Sequence, residues 1–261
     1  MKKTTMDIYK AMFPSLLIYL LIVAGFSQIF DMMGLGTDAF MTTGANPAMP
    51  MPEFHFGTMA VVSLLVHVIY FIAVGLVGYG LILMIYRMAR YDTDPEFVDA
   101  FYFFNAKAGS TIGTYIIEKI LTAVFFCLLV VPGIIFSLAM VPLGAVIGID
   151  GIRGREGAFT PIKESWQMTK GHKGMIFGRM AIVVIIVMVF AGGFGVAAAA
   201  SGMTQGALMK VLNVVSTVIF GLISYAAVVD IIRELVARGA FDEIDPIYEE
   251  IEDEEIQGEV L

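Results

Sequence analysis

Residues 111–149, TIGTYIIEKILTAVFFCLLVVPGIIFSLAMVPLGAVIGI, contain only two charged side chains, Glu118 and Lys119. One helical passage through a hydrocarbon core of about 30 Å takes about 20 apolar residues, so this stretch is long enough for two. Pro132-Gly133 divides it, and that pair is a turn signal. The stretch therefore reads as a tight hairpin of two spans, 111–131 and 134–149. The second span is short, which leaves a re-entrant loop as the alternative. Further apolar runs at 12–30, 58–86, 175–200 and 211–232 bring the expected number of transmembrane helices to six. Composition agrees: 58% of residues are hydrophobic and 15% charged, against about 25% charged in soluble domains.

The positive charges give the expected orientation. Lys2, Lys3 and Lys10 precede the first span. Arg87, Arg90 and Lys107 fall in the second loop, Arg153, Arg155, Lys163, Lys170 and Lys173 in the fourth, and Arg233 and Arg238 follow the last span. The intervening loops hold Asp31, Asp38 and Glu53 but only Lys210 as a base. Cytoplasmic loops retain Lys and Arg, so both termini are expected in the cytoplasm and the chain in a cytoplasmic membrane. The amino-terminal run is too long for a cleaved signal peptide and no small-x-small site closes it, so residues 12–30 count as a mature span. A single cysteine, Cys127, excludes an intramolecular disulfide and a cysteine-based metal cluster.

The second and fourth loops are alike in position. Phe97-Val98-Asp99-Ala100-Phe101 aligns with Ile162-Lys163-Glu164-Ser165-Trp166, and in the same register Gly109 meets Gly174 and Gly113 meets Gly178. Asp94-Pro95 and Thr160-Pro161 each offer an N-cap followed by proline, so a short helix is expected in each loop. Phe97, Phe101 and Phe104 in one, and Ile162, Trp166 and the lysines in the other, suit a helix lying among headgroups. A weaker echo, Ile8 to Phe13, runs into Pro14 before the first span. The expected fold is thus an all-α membrane domain over residues 1–238, arranged as three helical hairpins, each preceded by a short cytoplasmic interfacial helix. Residues 239–261 hold ten acids and no base, so the formal charge of −8 divides into −10 on this tail and +2 on the body. Like charge at that density predicts a solvated, disordered cytoplasmic tail, with docking to a basic protein as the sharper reading.

Ionisable side chains inside apolar spans are functional candidates, because an ion at the bilayer centre costs about 2.5–3.5 kcal/mol on insertion scales. Glu118, Lys119, Arg179, Asp230 and His67 are of this kind. Glu118 and Arg179 fall at similar depths and are expected to form a structural ion pair, and a proton or ion relay is the alternative. His67 reads as a neutral histidine hydrogen-bonded between helices rather than a metal ligand. Met32, Met33, Met41, Met49, Met51 and His55 have the softness for Cu(I), but with 18 methionines in the chain and no second ligand cluster they read as a proline-stiffened loop. Ala191, Gly195 and Ala199, with Gly193 and Ala197, read as close helix packing. No phosphate loop, zinc signature or nucleophile–base arrangement occurs. No catalytic, cofactor or metal residue is assigned, and the chain is expected not to be an enzyme and not to bind nucleic acid.

Val131-Pro132-Gly133-Ile134-Ile135, Ala158-Phe159, Glu164-Ser165-Trp166, Thr169-Lys170-Gly171-His172 and Phe177-Gly178 together resemble the membrane domain of glycerophosphoryl diester phosphodiesterases and of related six-span prokaryotic proteins of unassigned function. The motifs cover about residues 128–180. In those enzymes catalysis belongs to a separate soluble barrel with metal-binding acids and histidines, for which this chain has no room. The resemblance therefore implies a fold and no hydrolase activity. The expected function is organisation of membrane lipid or of a partner protein, with Trp166, Lys163, Lys170 and Lys173 as lipid contacts. The alternative is a small transporter or permease component in which Glu118, Arg179 and Asp230 line a path.

Overall fold

The computed structural model describes residues 3–32, 41–42, 53–54, 58–94, 96–105, 108–152, 157–200 and 207–245. These are almost wholly helical. Helix α1 (Thr5–Met32) is followed by a two-residue antiparallel bridge of β1 (Met41–Thr42) and β2 (Glu53–Phe54). Helix α2 (Thr58–Tyr91) leads to a 3₁₀ turn at Phe97–Phe101 and α3 (Tyr102–Asn105). The order then runs α4 (Ala108–Leu128), α5 (Val130–Ala139), α6 (Leu143–Ile152), α7 (Thr160–Met168), α8 (Lys173–Ala200) and α9 (Ala207–Ala237). Five of these, α1, α2, α4, α8 and α9, are long and apolar enough to cross a membrane. Helices α5 and α6, bent by 44° across a short break, make a sixth if they count as one span. The chain thus has the helices of a multi-pass membrane protein.

Several boundaries differ from the sequence reading for local physical reasons. Helix α1 begins at a reciprocal cap, in which the Thr4 N–H donates to Asp7 Oδ2 at 3.0 Å and the Asp7 N–H donates to Thr4 Oγ1 at 3.3 Å. It then runs unbroken through Pro14, so the segment before the first span is not a separate short helix. Its buried residues, Ile8, Met12, Leu16, Leu20 and Ala24, recur every fourth position along one stripe. The turn between α4 and α5 falls at Leu129, the one extended residue between the two helices (φ −160°, ψ 137°), and not at Pro132-Gly133. Proline lacks an N–H and is tolerated in a first helical turn, where such groups have no intrahelical partner. Gly133 then lets the two helices close: a Cβ there would lie 2.6 Å from the Phe126 ring. The break between α5 and α6 covers Met140–Pro142.

The chain forms two compact units. One comprises Met1–Met12, Leu76–Val183 and Ala226–Leu261, and within it the helices approach at backbone distance. A Cβ on Gly80 would lie 2.0 Å from the Ala100 carbonyl oxygen. One on Gly144 would lie 2.6 Å from the Tyr79 carbonyl oxygen, and one on Gly148 would lie 2.3 Å from Leu83. Gly144 and Gly148 form a small-xxx-small pair that seats α6 on α2. The glycines expected to open α4 and α8 behave differently, for Gly109, Gly174 and Gly178 would meet nothing within 4 Å. The same is true of Gly193, the one member of the fifth-span small-residue series whose side is described.

The other unit comprises Phe13–Gly75 and Val184–Tyr225. Within it the Tyr19 hydroxyl donates to the Val74 carbonyl at 3.2 Å, the Tyr70 hydroxyl donates to the Val23 carbonyl at 3.0 Å, and Leu20 fills the space beside Gly221. Large apolar side chains on its helices, such as Leu65, Ile69, Ile185, Met188 and Val189, are exposed, as helices solvated by hydrocarbon require.

Residues 239–245, the first part of the segment read as a solvated tail, are folded onto α2. Helix α9 ends in a Schellman motif: the Gly239 N–H donates to the Val236 carbonyl, the Ala240 N–H donates to the Leu235 carbonyl, and Gly239 takes φ +70°. This turn drives Phe241, fully buried, against Tyr86 with ring centroids 4.5 Å apart. The buried Asp245 carboxylate accepts hydrogen bonds from the Tyr86 and Tyr91 hydroxyls, and Arg90 pairs with Asp242 at 2.6 Å. Two of the ten acids are therefore structural.

Candidate functional site

The two expected short helices are present, and each is set by what it packs against. At residues 97–105 the first turn is fixed by the Glu96 N–H donating to Asp99 Oδ2 at 2.9 Å, so the cap is two residues later than Asp94. In α7 Thr160 is already helical and Pro161 sits in the first turn. One face of α7 is buried through Ile162, Ser165 and Met168, and the Ser165 hydroxyl donates to the Ala139 carbonyl of α5 at 2.6 Å. The helix stops at Thr169, whose hydroxyl caps the Ser165 and Trp166 carbonyls. Gly171, at φ +92°, then reverses the chain into α8.

The opposite face of α7, the turn after it and the start of α8 carry the four residues read as lipid contacts. Lys163 and Lys170 are exposed, and Trp166 is 38% exposed, with one edge near Phe136. The Lys173 ammonium, from the first turn of α8, lies 3.2 Å from the Trp166 ring centroid. A cation at that distance is held by the ring quadrupole. A shallow groove lined by Phe159, Thr160, Ile162, Lys163, Glu164 and Gln167 runs beside them. The site thus has an amphipathic aromatic, an apolar flank and three ammonium groups, with Glu164 as a carboxylate at its edge.

The intramembrane charges pair differently from the expectation. Arg179 does not reach Glu118; its Nε lies 2.7 Å from Asp230 Oδ2 and its Nη2 lies 3.5 Å from Glu234 Oε2. Its Nη1 also donates to the Asp230 carbonyl at 3.2 Å. This network ties α8 to α9, and it extends through Thr5, whose hydroxyl donates to Asp230 and accepts from Arg233 at 3.1 Å. Glu118 is buried and accepts from the Thr122 hydroxyl at 3.1 Å, while Lys119 Nζ lies 2.9 Å from its other oxygen. The sequence alignment sets Arg179 opposite Thr114 rather than opposite Glu118, and Glu234, one helical turn past Asp230, was the missed partner. His67 Nδ1 lies 2.8 Å from the Ser63 carbonyl of its own helix.

One polar group escaped the sequence reading altogether. Asp150, at the end of α6, is 4% exposed and lines a recess with Tyr102, Ser110, Thr111 and Thr114. Its spacing from Leu143, Val146 and Ile147 places it on the buried stripe of α6, a pattern that was available in the sequence. The inward face of α4 is polar as well: Thr111, Thr114, Tyr115 and Glu118 are its buried residues. Among the described residues no group of three or more His, Cys, Asp or Glu has the geometry to hold a metal. The methionine-rich loop lies almost wholly outside the described residues, as does the acidic tail beyond Asp245. No family model matches the chain, and neither a curated protein nor a solved structure shows significant similarity to it.

Proposed function

We propose that the protein is a six-span, non-enzymatic component of the cytoplasmic membrane, with both termini in the cytoplasm, that gathers anionic lipid at the exposed face of α7. The observation that carries this reading is Trp166 with the Lys173 ammonium over its ring and Lys163 and Lys170 exposed alongside. An indole is favoured at the headgroup level, and each ammonium close to an anionic surface contributes about 1 kcal/mol. The segment 97–105, with Phe97 and Phe104 exposed, is then the second interfacial helix, and α4 with the α5–α6 pair is a hairpin that crosses and returns. The resemblance to the membrane domain of glycerophosphoryl diester phosphodiesterases favours the same arrangement. The charge of the acidic residues beyond Asp245 opposes an anionic leaflet and suits a basic protein as partner.

The test replaces Lys163, Lys170 and Lys173 with Gln and measures anionic lipid retained on the purified protein at two ionic strengths. The parent retains more than the variant at low salt, and high salt narrows the gap because exposed charges are screened. Equal retention at low salt would return α7 to a purely structural role.

A further inference from the structure

The lipid face of α7 is built as two basic seats with an indole between them. Lys163, Trp166 and Lys170 are spaced by three and four residues, so they follow one another along one side of α7 and the turn after it. The first seat is Lys163, at the groove whose lining includes Thr160 and Gln167, one turn to either side of it on the same face. The Thr160 hydroxyl and the Gln167 amide can each donate to a phosphate oxygen held beside the ammonium. The second seat is Lys170 with Lys173, which are close enough for the charge of Lys170 to act on Lys173. Two like charges so placed oppose each other and gain from an anion between them. Trp166 stands between the seats, with the Lys173 ammonium 3.2 Å from its ring centroid, and exposed Phe159 adds apolar surface at the groove. Three ammonium groups against the one carboxylate of Glu164 leave these side chains with a net positive charge of two.

We propose that the lipid held here carries two phosphodiesters joined through a short polyol bridge, one phosphate in each seat and the bridge across the Trp166 edge. The inference rests on the lipid reading of α7 and names the class of lipid. A lipid with one phosphodiester carries one negative charge, which fills one seat and leaves the other to mobile counterions. A phosphomonoester lipid carries up to about two charges, but on a single phosphorus, which reaches one side of the indole. The bridged pair supplies two charges at two separate points. Once the first phosphate is bound, the second is held at high effective concentration, so affinity rises with no contact beyond those of the two seats. The indole and Phe159 then meet the bridge and the upper acyl region, the level at which an amphipathic ring is favoured.

Trp166 is the single tryptophan of the chain, so quenching of its emission by lipids with brominated acyl chains reports occupancy of this face. The full-length protein is reconstituted in zwitterionic vesicles, and three brominated lipids are titrated in at equal total charge: a bis-phosphodiester, a mono-phosphodiester and a phosphomonoester. The bis-phosphodiester is expected to reach half-maximal quenching at a several-fold lower charge density than either of the others. Lys163→Gln and Lys170→Gln should each remove most of that advantage, and each should move the mono-phosphodiester curve far less, since the other seat remains. Equal curves for the one- and two-phosphate lipids overturn the two-seat inference and leave the anionic-lipid reading standing. A phosphomonoester as effective as the bridged lipid also overturns it, because one phosphorus then suffices. An advantage that survives both single substitutions overturns the assignment of the seats. A brominated zwitterionic lipid that quenches as well as all three overturns the anionic-lipid reading itself.

Discussion

Segments 97–118 and 162–183 pack alike and differ in chemistry. At a constant offset, Ala100 and Ser165 are both buried, as are Phe103 and Met168, Thr111 and Ile176, and Glu118 and Val183. In each segment the small residue of the short helix lies against the backbone of an earlier helix, Ala100 on Gly80 of α2 and Ser165 on the Ala139 carbonyl of α5. The frame is shared at these positions and not at others, for Ile162 and Thr169 are buried where Phe97 and Phe104 are exposed. The first copy turns hydroxyls and a carboxylate inward along α4, and the second turns apolar groups inward and sets an arginine opposite Thr114. Internal symmetry of this type is common in membrane folds. Here it separates positions that hold the helices together from positions free to acquire a role.

That comparison can be broken most directly where it is tightest. Gly80→Ala forces a methyl group into the Ala100 carbonyl, and with backbone on both sides nothing flexible can yield. It is expected to cost more than about 3 kcal/mol, at the upper end of overpacking penalties, and to abolish monodisperse protein on size-exclusion chromatography. A well-behaved Gly80→Ala protein would mean that the first short helix is not seated as the second is.

The next test compares the aligned positions Thr114 and Arg179. Arg179→Gln strands Asp230, whereas Glu234 keeps its closer partner Arg238, and because the network is partly exposed the loss should be about 1–3 kcal/mol, most of it recovered in the double variant with Asp230→Asn. Thr114→Val should be nearly neutral in the same thermal unfolding assay. Additive losses at Arg179 and Asp230 would dissolve the network. A smaller effect is expected at Ser165→Ala, which removes the donor to the Ala139 carbonyl and should cost about 1–2 kcal/mol, whereas Ala100→Ser should gain nothing. Finally, if the copies are equivalent in the membrane, cysteines placed at Asp94 and Gly171 on a background lacking Cys127 react with an impermeant maleimide from the same side. Reaction from opposite sides would end the equivalence.

The apolar periodicity made the long helices legible, because a span has no other way to satisfy its backbone in hydrocarbon. Their ends were less so. Thr4-x-x-Asp7 and the Gly239 stop are local signals, but continuation through Pro14 and the turn at Leu129 depend on neighbours that a linear reading cannot place. The short helices were legible from Asp94-Pro95 and Thr160-Pro161, although the caps fall at Glu96 and Phe159. The choice of Arg179's partner was missed because depth along a span says nothing about which helix faces which. Asp245 was hidden in a run of acids, and only Phe241, an apolar residue two positions past the stop glycine, hinted that the run begins folded.

The glycine contacts of α2 have a mechanical consequence. Gly80 meets the backbone at Ala100 and Gly144 meets it at Tyr79, while Gly148 lies on the Leu83 side chain, so two of these three contacts on α2 are made with main chain. Sliding one helix along another needs side chains that can change rotamer as ridges pass grooves, and at Gly80 and Gly144 the nearest facing atoms are main chain. Any motion within this part of the molecule must then carry α2, α6 and the 97–101 turn as one rigid lever.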